Sequence, residues 1–176
     1  SSQPLVEGTI ARSEAIDLGE GKTVYPFEKG HVVVSGYVKK GETNTVASIP
    51  IPVTDQLMTR GRVKYNISCL PCHGGQGDGN GVVKYFGFGA IKDLHLPEVV
   101  KMNDGQIYRV ITVGNQGGKG QMKGYANTLD ITDRWAIVAY VRALQLSHLG
   151  KEEEVPERFH VEAEPGAKKP GGEEKH

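Results

Sequence analysis

The chain has 176 residues, with 21 Lys and Arg against 21 Asp and Glu, so its formal net charge is zero. That length accommodates one ordinary domain with extensions, not two sizeable cores. Balanced charge argues against nucleic-acid binding, which calls for a basic excess, and no run approaches the roughly 18 consecutive apolar residues needed to cross a bilayer. The opening Ser1-Ser2-Gln3-Pro4 lacks the charged start and apolar run of a secretion signal, so either none was present or the chain is a mature form.

Residues 1–53 show no useful helical period. Within them, His31-Val32-Val33-Val34-Ser35-Gly36-Tyr37-Val38 is rich in β-branched residues between turn formers, which predicts a short strand or hairpin. Ile49-Pro50-Ile51-Pro52 is expected to be an extended linker, because each proline pushes its predecessor out of the helical region.

Thr54 can cap a helix running to about Asn66, with Leu57, Gly61 and Tyr65 on one face. A glycine inside a helix costs about 1 kcal/mol relative to alanine. On an apolar face, Gly61 therefore points to close approach of another backbone; the alternative is a tolerated surface glycine. Asn103 with Gln106 forms a capping-box pattern, and Ile107, Val110 and Ile111 give a second helix up to Gly114. Thr132 can cap a third helix, in which Ile137, Tyr140, Val141 and Leu144 share a face before Gly150 ends the pattern. This last helix is the expected partner of the one containing Gly61.

Beyond Gly150 the composition turns to Lys151-Glu152-Glu153-Glu154 and a polar, Pro- and Gly-containing tail, too poor in apolar residues to fold alone. The organisation expected is an extended arm over 1–53, a helical domain over 54–149 and a charged tail over 150–176. Arm and tail are both expected to contact partners.

The two cysteines stand three positions apart, a loop too short for a strongly stabilising cross-link. Cys69-Leu70-Pro71-Cys72-His73 is a C-x-x-C-H sequence, the attachment signal for c-type haem. Two thiols one helical turn apart can each bond one vinyl-derived carbon of a porphyrin, while the adjacent imidazole points at the iron. The motif opens into Gly74-Gly75-Gln76-Gly77-Asp78-Gly79-Asn80-Gly81, dense enough in glycine to turn tightly around a flat cofactor. Competing chemistries fit less well. A structural zinc site wants a second ligand pair, and a thioredoxin-like pair wants a preceding strand. The ligand order of a calcium loop and the Gly-Lys-Ser/Thr ending of a phosphate loop are missing.

An electron-transfer haem is normally ligated on both faces of its iron, the second ligand being methionine or histidine. Of the three methionines, Met58 lies inside the first helix and Met102 follows Val99-Val100 just before a helix cap, so both are expected to pack. Met122 lies in the polar stretch Gly117-Gly118-Lys119-Gly120-Gln121-Met122-Lys123-Gly124, an odd home for a thioether unless its sulfur is bound. Met122 is the favoured ligand; Met102, His95 and His148 remain alternatives. His160 and His176 fall in the tail, where solvation is expected.

With these residues in hand, the stretch from about Thr54 to Leu149 resembles a class I cytochrome c: Gly61 and Tyr65, the C-x-x-C-H motif, the methionine loop and the closing helix from Trp135 to Leu146 occur in that family's order. The resemblance implies a mainly α fold of about three to four helices around one covalent haem, with the first helix crossing the last at Gly61 and Tyr65 set against Ile137 and Tyr140. It also implies His73 and Met122 as axial ligands. The chain is more narrowly similar to the mono-haem cytochrome c subunit of bacterial alternative complex III. That similarity rests on Gly8-Thr9-Ile10-Ala11-Arg12, on Thr59-Arg60-Gly61-Arg62, on Cys72-His73-Gly74 with Gly77-Asp78-Gly79-Asn80-Gly81, and on Asp133 through Gln145. The family usually has proline after its ligand methionine, where this chain has Lys123.

This narrower resemblance implies an electron-transfer subunit without catalytic chemistry of its own, in a quinol-oxidising membrane complex with multihaem cytochrome, iron-sulfur and integral membrane subunits. Electrons would leave to a soluble carrier or a terminal oxidase. It implies a place on the periplasmic side of the bacterial cytoplasmic membrane, held by partners or by a lipid on an N-terminal cysteine, which the sequence does not contain. Two other functions remain open: a free periplasmic shuttle, and a haem domain that binds a small ligand.

Overall fold

The computed structural model of the chain describes residues 14–39, 43–89, 91–118 and 120–150. The Gly8–Arg12 stretch and nearly all of the charged tail, with His160 and His176, lie outside the described residues.

Among the described residues the chain forms six α-helices and one two-stranded antiparallel hairpin. The hairpin pairs β1 (Ile16–Gly19) with β2 (Lys22–Val24), joining Ile16 opposite Val24. The helices are α1 (Val32–Ser35), α2 (Asp55–Ser68), α3 (Leu70–His73), α4 (Pro97–Val100), α5 (Asp104–Val113) and α6 (Ile131–Leu149). Three of these are single turns of four residues, α1, α3 and α4. Such turns are too short to show a helical period, which is why the periodicity predicts only the three longer helices.

The longer helices begin where local chemistry starts them. Thr54 Oγ1 accepts from the Leu57 N–H at 3.2 Å ahead of α2. At the head of α5, Asn103 Oδ1 accepts from the Gln106 N–H while Gln106 Oε1 accepts from the Asn103 N–H, both at 2.8 Å, a reciprocal capping box. The cap of α6 is Asp130 and not Thr132: its Oδ1 accepts from the Asp133 N–H at 2.6 Å. A carboxylate at a helix N-terminus gains from the dipole as well as the hydrogen bond, and here it starts the helix at Ile131. Gly150 closes α6, as expected.

The segment 31–38 is not a strand. His31 Nδ1 accepts from the Val33 N–H at 3.3 Å, Val32–Ser35 make one helical turn, and Gly36 (φ 75°) ends it in the left-handed region. The β-branched composition is overridden by tertiary contacts, because the turn drives Val33 wholly into the core. The Val33 carbonyl then receives the Trp135 indole N–H at 2.7 Å, and the Val34 carbonyl receives the Tyr108 hydroxyl at 3.0 Å.

α2 packs across α6. Leu57, Gly61 and Tyr65 form its buried face, and a side chain at Gly61 would run into the Ala136 carbonyl and, at 3.1 Å, the Tyr140 Cβ. The glycine is thus there for close backbone approach. Tyr65 meets Tyr140 with ring centroids 5.2 Å apart, and Ile137 belongs to the same buried cluster. Behind this crossing the Tyr108 and Trp135 rings stack at 4.1 Å. Val24, Val33 and Ile51, from the first third of the chain, complete the same core.

The crossing is also tied at the surface. Asp133, with a side chain 4% exposed, takes Arg60 Nε at 2.6 Å and Lys64 Nζ at 2.9 Å, and Arg60 reaches Asp130 at 2.7 Å.

Candidate functional site

α3 carries the motif. It starts immediately after α2, with Pro71 in its first turn, where a missing N–H costs nothing. The His73 N–H donates to the Cys69 carbonyl at 2.8 Å, so the two cysteines and the histidine occupy one turn. The glycine-rich loop folds straight back onto that turn: the N–H groups of Gly81 and Gly79 donate to the carbonyls of Cys72 (3.0 Å) and His73 (2.9 Å). A Cβ at Gly81 would collide with the Pro71 and Cys72 carbonyls, which is the physical use of glycine there. Tyr65 completes the turn by donating its buried hydroxyl to the Gly74 carbonyl at 2.9 Å.

Beside α3 lies a cavity of about 560 Å³, within the range of about 300–1,000 Å³ typical of small-molecule and cofactor sites. Cys69, Cys72 and His73 form part of its wall, and both Met122 and Met102 reach it from elsewhere in the chain. Much of the remaining lining is apolar, from Leu94 and Val99 through Ile107, Val110 and Ile111 of α5 to Ile137 and Val141 of α6. Tyr125 also lines the cavity and donates its hydroxyl to the Ser68 carbonyl at 3.1 Å, joining the segment after Met122 to the end of α2.

The polar groups at the wall are set for ligation. His73 Nδ1 lies 3.1 Å from the Lys92 carbonyl. A carbonyl only accepts, so Nδ1 carries the proton and the lone pair is left on Nε2. Nε2 takes no hydrogen bond from the described residues. Burial lowers the His73 pKa below its ordinary value, the Lys92 hydrogen bond acting in the opposite sense, so the imidazole is neutral at pH 7, the form that binds metal. Burial, and secondarily the neighbouring Cys72, push the Cys69 thiol up to about 12.

These observations fit a haem. Two thiols on one helical turn, a neutral imidazole with a free nitrogen oriented by a backbone carbonyl, a thioether donor and a largely apolar enclosure are the donor set and surroundings that a covalently bound haem requires.

The candidate ligands among the described residues each have a definite place. Cys69, Cys72, His73 and Met122 share the cavity. Met58 and Met102 both pack against the core, as expected, and Met102 lines the cavity too, which Met58 does not reach. Met122 is half-buried at the cavity wall. His95 and His148 do not line the cavity. Their rings meet in a tilted pair with centroids 4.2 Å apart, and His95 Nδ1 lies 2.8 Å from Asp93 Oδ1. The Lys92 carbonyl, which orients His73, left no trace in the sequence, because a main-chain acceptor has no residue signature.

Residues 56–141, just under half of the chain, are similar to the family model described as "Cytochrome C oxidase, cbb3-type, subunit III", a likeness that supports a cytochrome c domain there. No curated protein matches the chain. Among solved structures, a chain of the Kuenenia stuttgartiensis reducing HAO-like protein complex is similar, at 24% identity and a TM-score of 0.43. The match covers 60% of this chain and 52% of that one, so the chain spans about half the length of that neighbour.

Proposed function

We propose that this cytochrome c domain holds one haem c, bonded through Cys69 and Cys72 and ligated by His73 and Met122. We further propose that it relays single electrons as a subunit of a quinol-oxidising membrane complex of the alternative complex III type, on the periplasmic side of a bacterial membrane. The observation that carries the first part is the meeting of both thiols, a neutral imidazole and a thioether on one largely apolar cavity.

When bound, the haem supplies a one-electron ferric/ferrous couple. The chain's own residues fix and tune it. Cys69 and Cys72 tether it, so a small domain need not rely on enclosure alone. The Lys92 carbonyl holds the His73 ring in the tautomer that leaves Nε2 free. The thioether of Met122 favours the reduced state and raises the potential, which suits the exit end of a quinol-oxidising chain. The branched side chains of α5 and α6 keep water away. No general acid, base or nucleophile is called for.

Membership of the complex rests on the sequence similarity. Two of the stretches that carry it, Thr59–Arg62 and Asp133–Gln145, meet at the α2–α6 crossing through the Arg60–Asp133 pair and the Gly61–Ala136 contact. Partners would be multihaem, iron-sulfur and membrane-embedded subunits upstream, and a soluble carrier or terminal oxidase downstream.

The test has two parts. The mass of the purified chain should exceed that of its residues by one haem. The long-wavelength sulfur-to-iron band of the oxidised protein should vanish in Met122→Ala and persist in Met102→Ala. For the complex, the chain purified from native membranes should co-migrate with quinol-reducible haem subunits. Recovery as a lone monomer, with arm and tail cleaved by limited proteolysis without loss of electron transfer, would favour a free shuttle instead.

A further inference from the structure

The loop bearing Met122 leaves α5 at Gly114 and returns at Lys123, and those two residues form an isolated antiparallel bridge. One residue just inside the bridge, Asn115, holds Met122 at both of its main-chain polar groups. The Asn115 N–H donates to the Met122 carbonyl at 3.1 Å, and the Asn115 side-chain Oδ1 accepts from the Met122 N–H, also at 3.1 Å. The Asn115 carbonyl in turn receives the Gly120 N–H at 3.2 Å.

Glycines allow this closeness. A Cβ on Gly114 would strike the Met122 carbonyl, one on Gly124 would strike the Thr112 carbonyl, and one on Gly120 would strike the Asn115 carboxamide. The intervening turn adopts left-handed backbone at Gln116 (φ 50°) and Gly117 (φ 65°). A non-glycine residue is uncommon in that region, and closure of the loop holds Gln116 there. Asn115, Gln116 and Met122 all line the cavity shared with His73.

We propose that Asn115 is a positioning residue for the Met122 thioether: its side chain fixes the Met122 main chain, so that the sulfur is presented to the cavity at little further entropic cost. The inference rests on the reading of Met122 as an iron ligand. Without the Oδ1 contact, the Met122 N–H loses its acceptor and the loop keeps only the main-chain half of the clamp. The sulfur then competes less well for iron against an added ligand. Asn115→Asp retains an acceptor of the same shape at the same place, so it should restore what Asn115→Ala loses.

The experiment uses haem-loaded full-length protein, with imidazole as the competing ligand for ferric iron. Asn115→Ala should bind imidazole roughly three- to tenfold more tightly than the parent, the weight of about one hydrogen bond, and should show a weaker sulfur-to-iron band. Asn115→Asp should return both toward parental values. Gly120→Ala, which displaces the Asn115 carboxamide without removing it, should reproduce the Asn115→Ala phenotype and serves if that variant fails to fold. A Met122→Ala control separates the two ideas. If the band survives in Met122→Ala, the ligand reading falls and the clamp falls with it. If it is lost there, yet Asn115→Ala and Gly120→Ala bind imidazole like the parent, only the positioning role of Asn115 is overturned.

Discussion

The indole N–H of Trp135 donates to the carbonyl of Val33 at 2.7 Å, across 102 positions of sequence, with both residues fully buried. This bond seats the single turn of α1 on the longest helix and makes the first third of the chain part of the core. Trp135→Phe would keep most of the ring's bulk and leave a buried carbonyl without a donor. The expected loss is about 1–3 kcal/mol, read by guanidinium unfolding of the haem-loaded protein with an unchanged denaturant slope. An unaltered midpoint would show that the bond contributes nothing to stability.

Gly61→Ala sets two effects against each other. Alanine gains about 1 kcal/mol of helix propensity over glycine, but its methyl must enter the space of the Ala136 carbonyl, a main-chain atom that cannot rotate away. Overpacking of this kind costs about 1–3 kcal/mol or more, and a backbone obstacle puts the outcome at the upper end. A lowered thermal midpoint is expected; a raised one would mean that the helices part without penalty.

Acid should weaken the same crossing. Burial alone would raise the Asp133 pKa, but the hydrogen bonds and charges of Lys64 and Arg60 prevail and hold it below the ordinary aspartate value. A carboxylate with a depressed folded pKa stabilises fully above its unfolded value, near pH 4, and that contribution disappears as pH falls through the folded value. Asp133→Asn should therefore cost about 1–3 kcal/mol at pH 7, because charge-assisted bonds to half-exposed partners are lost. Parent and variant stabilities should converge as pH falls below the ordinary aspartate value and through the lower folded one. Equal stability at pH 7 would contradict the assignment.

Exchanging the thioether tests its tuning role. Met122→His should lower the reduction potential, by some fraction of the roughly 0.8 V span that axial ligands control. An equilibrium redox titration reads this directly. A potential that does not move would argue that the residue never touches the iron.

Much of this molecule was legible before any coordinates, and the legible parts share a property: their determinants lie within a few residues of one another. The Cys69–His73 spacing, the Thr54 cap, the Asn103–Gln106 capping box and the Leu57–Gly61–Tyr65 face are short-range patterns that helix geometry makes interpretable. The start of α6 shows how narrow the margin is, since Asp130 and Thr132 can both cap and the stronger acceptor at the dipole's positive end prevails.

Tertiary structure alone decided the remainder. Three valines in a row favour a strand, yet Val33 belongs to a helical turn because the core and the indole of Trp135 accept it only in that form. The imidazole of His73 takes its orientation from the Lys92 carbonyl, 19 residues away, and both Met102 and Met122 reach one cavity from opposite ends of α5. Such pairings depend on where the main chain passes after folding. Main-chain donors and acceptors are the same in every residue but proline, so no reading of side chains in order could have located them.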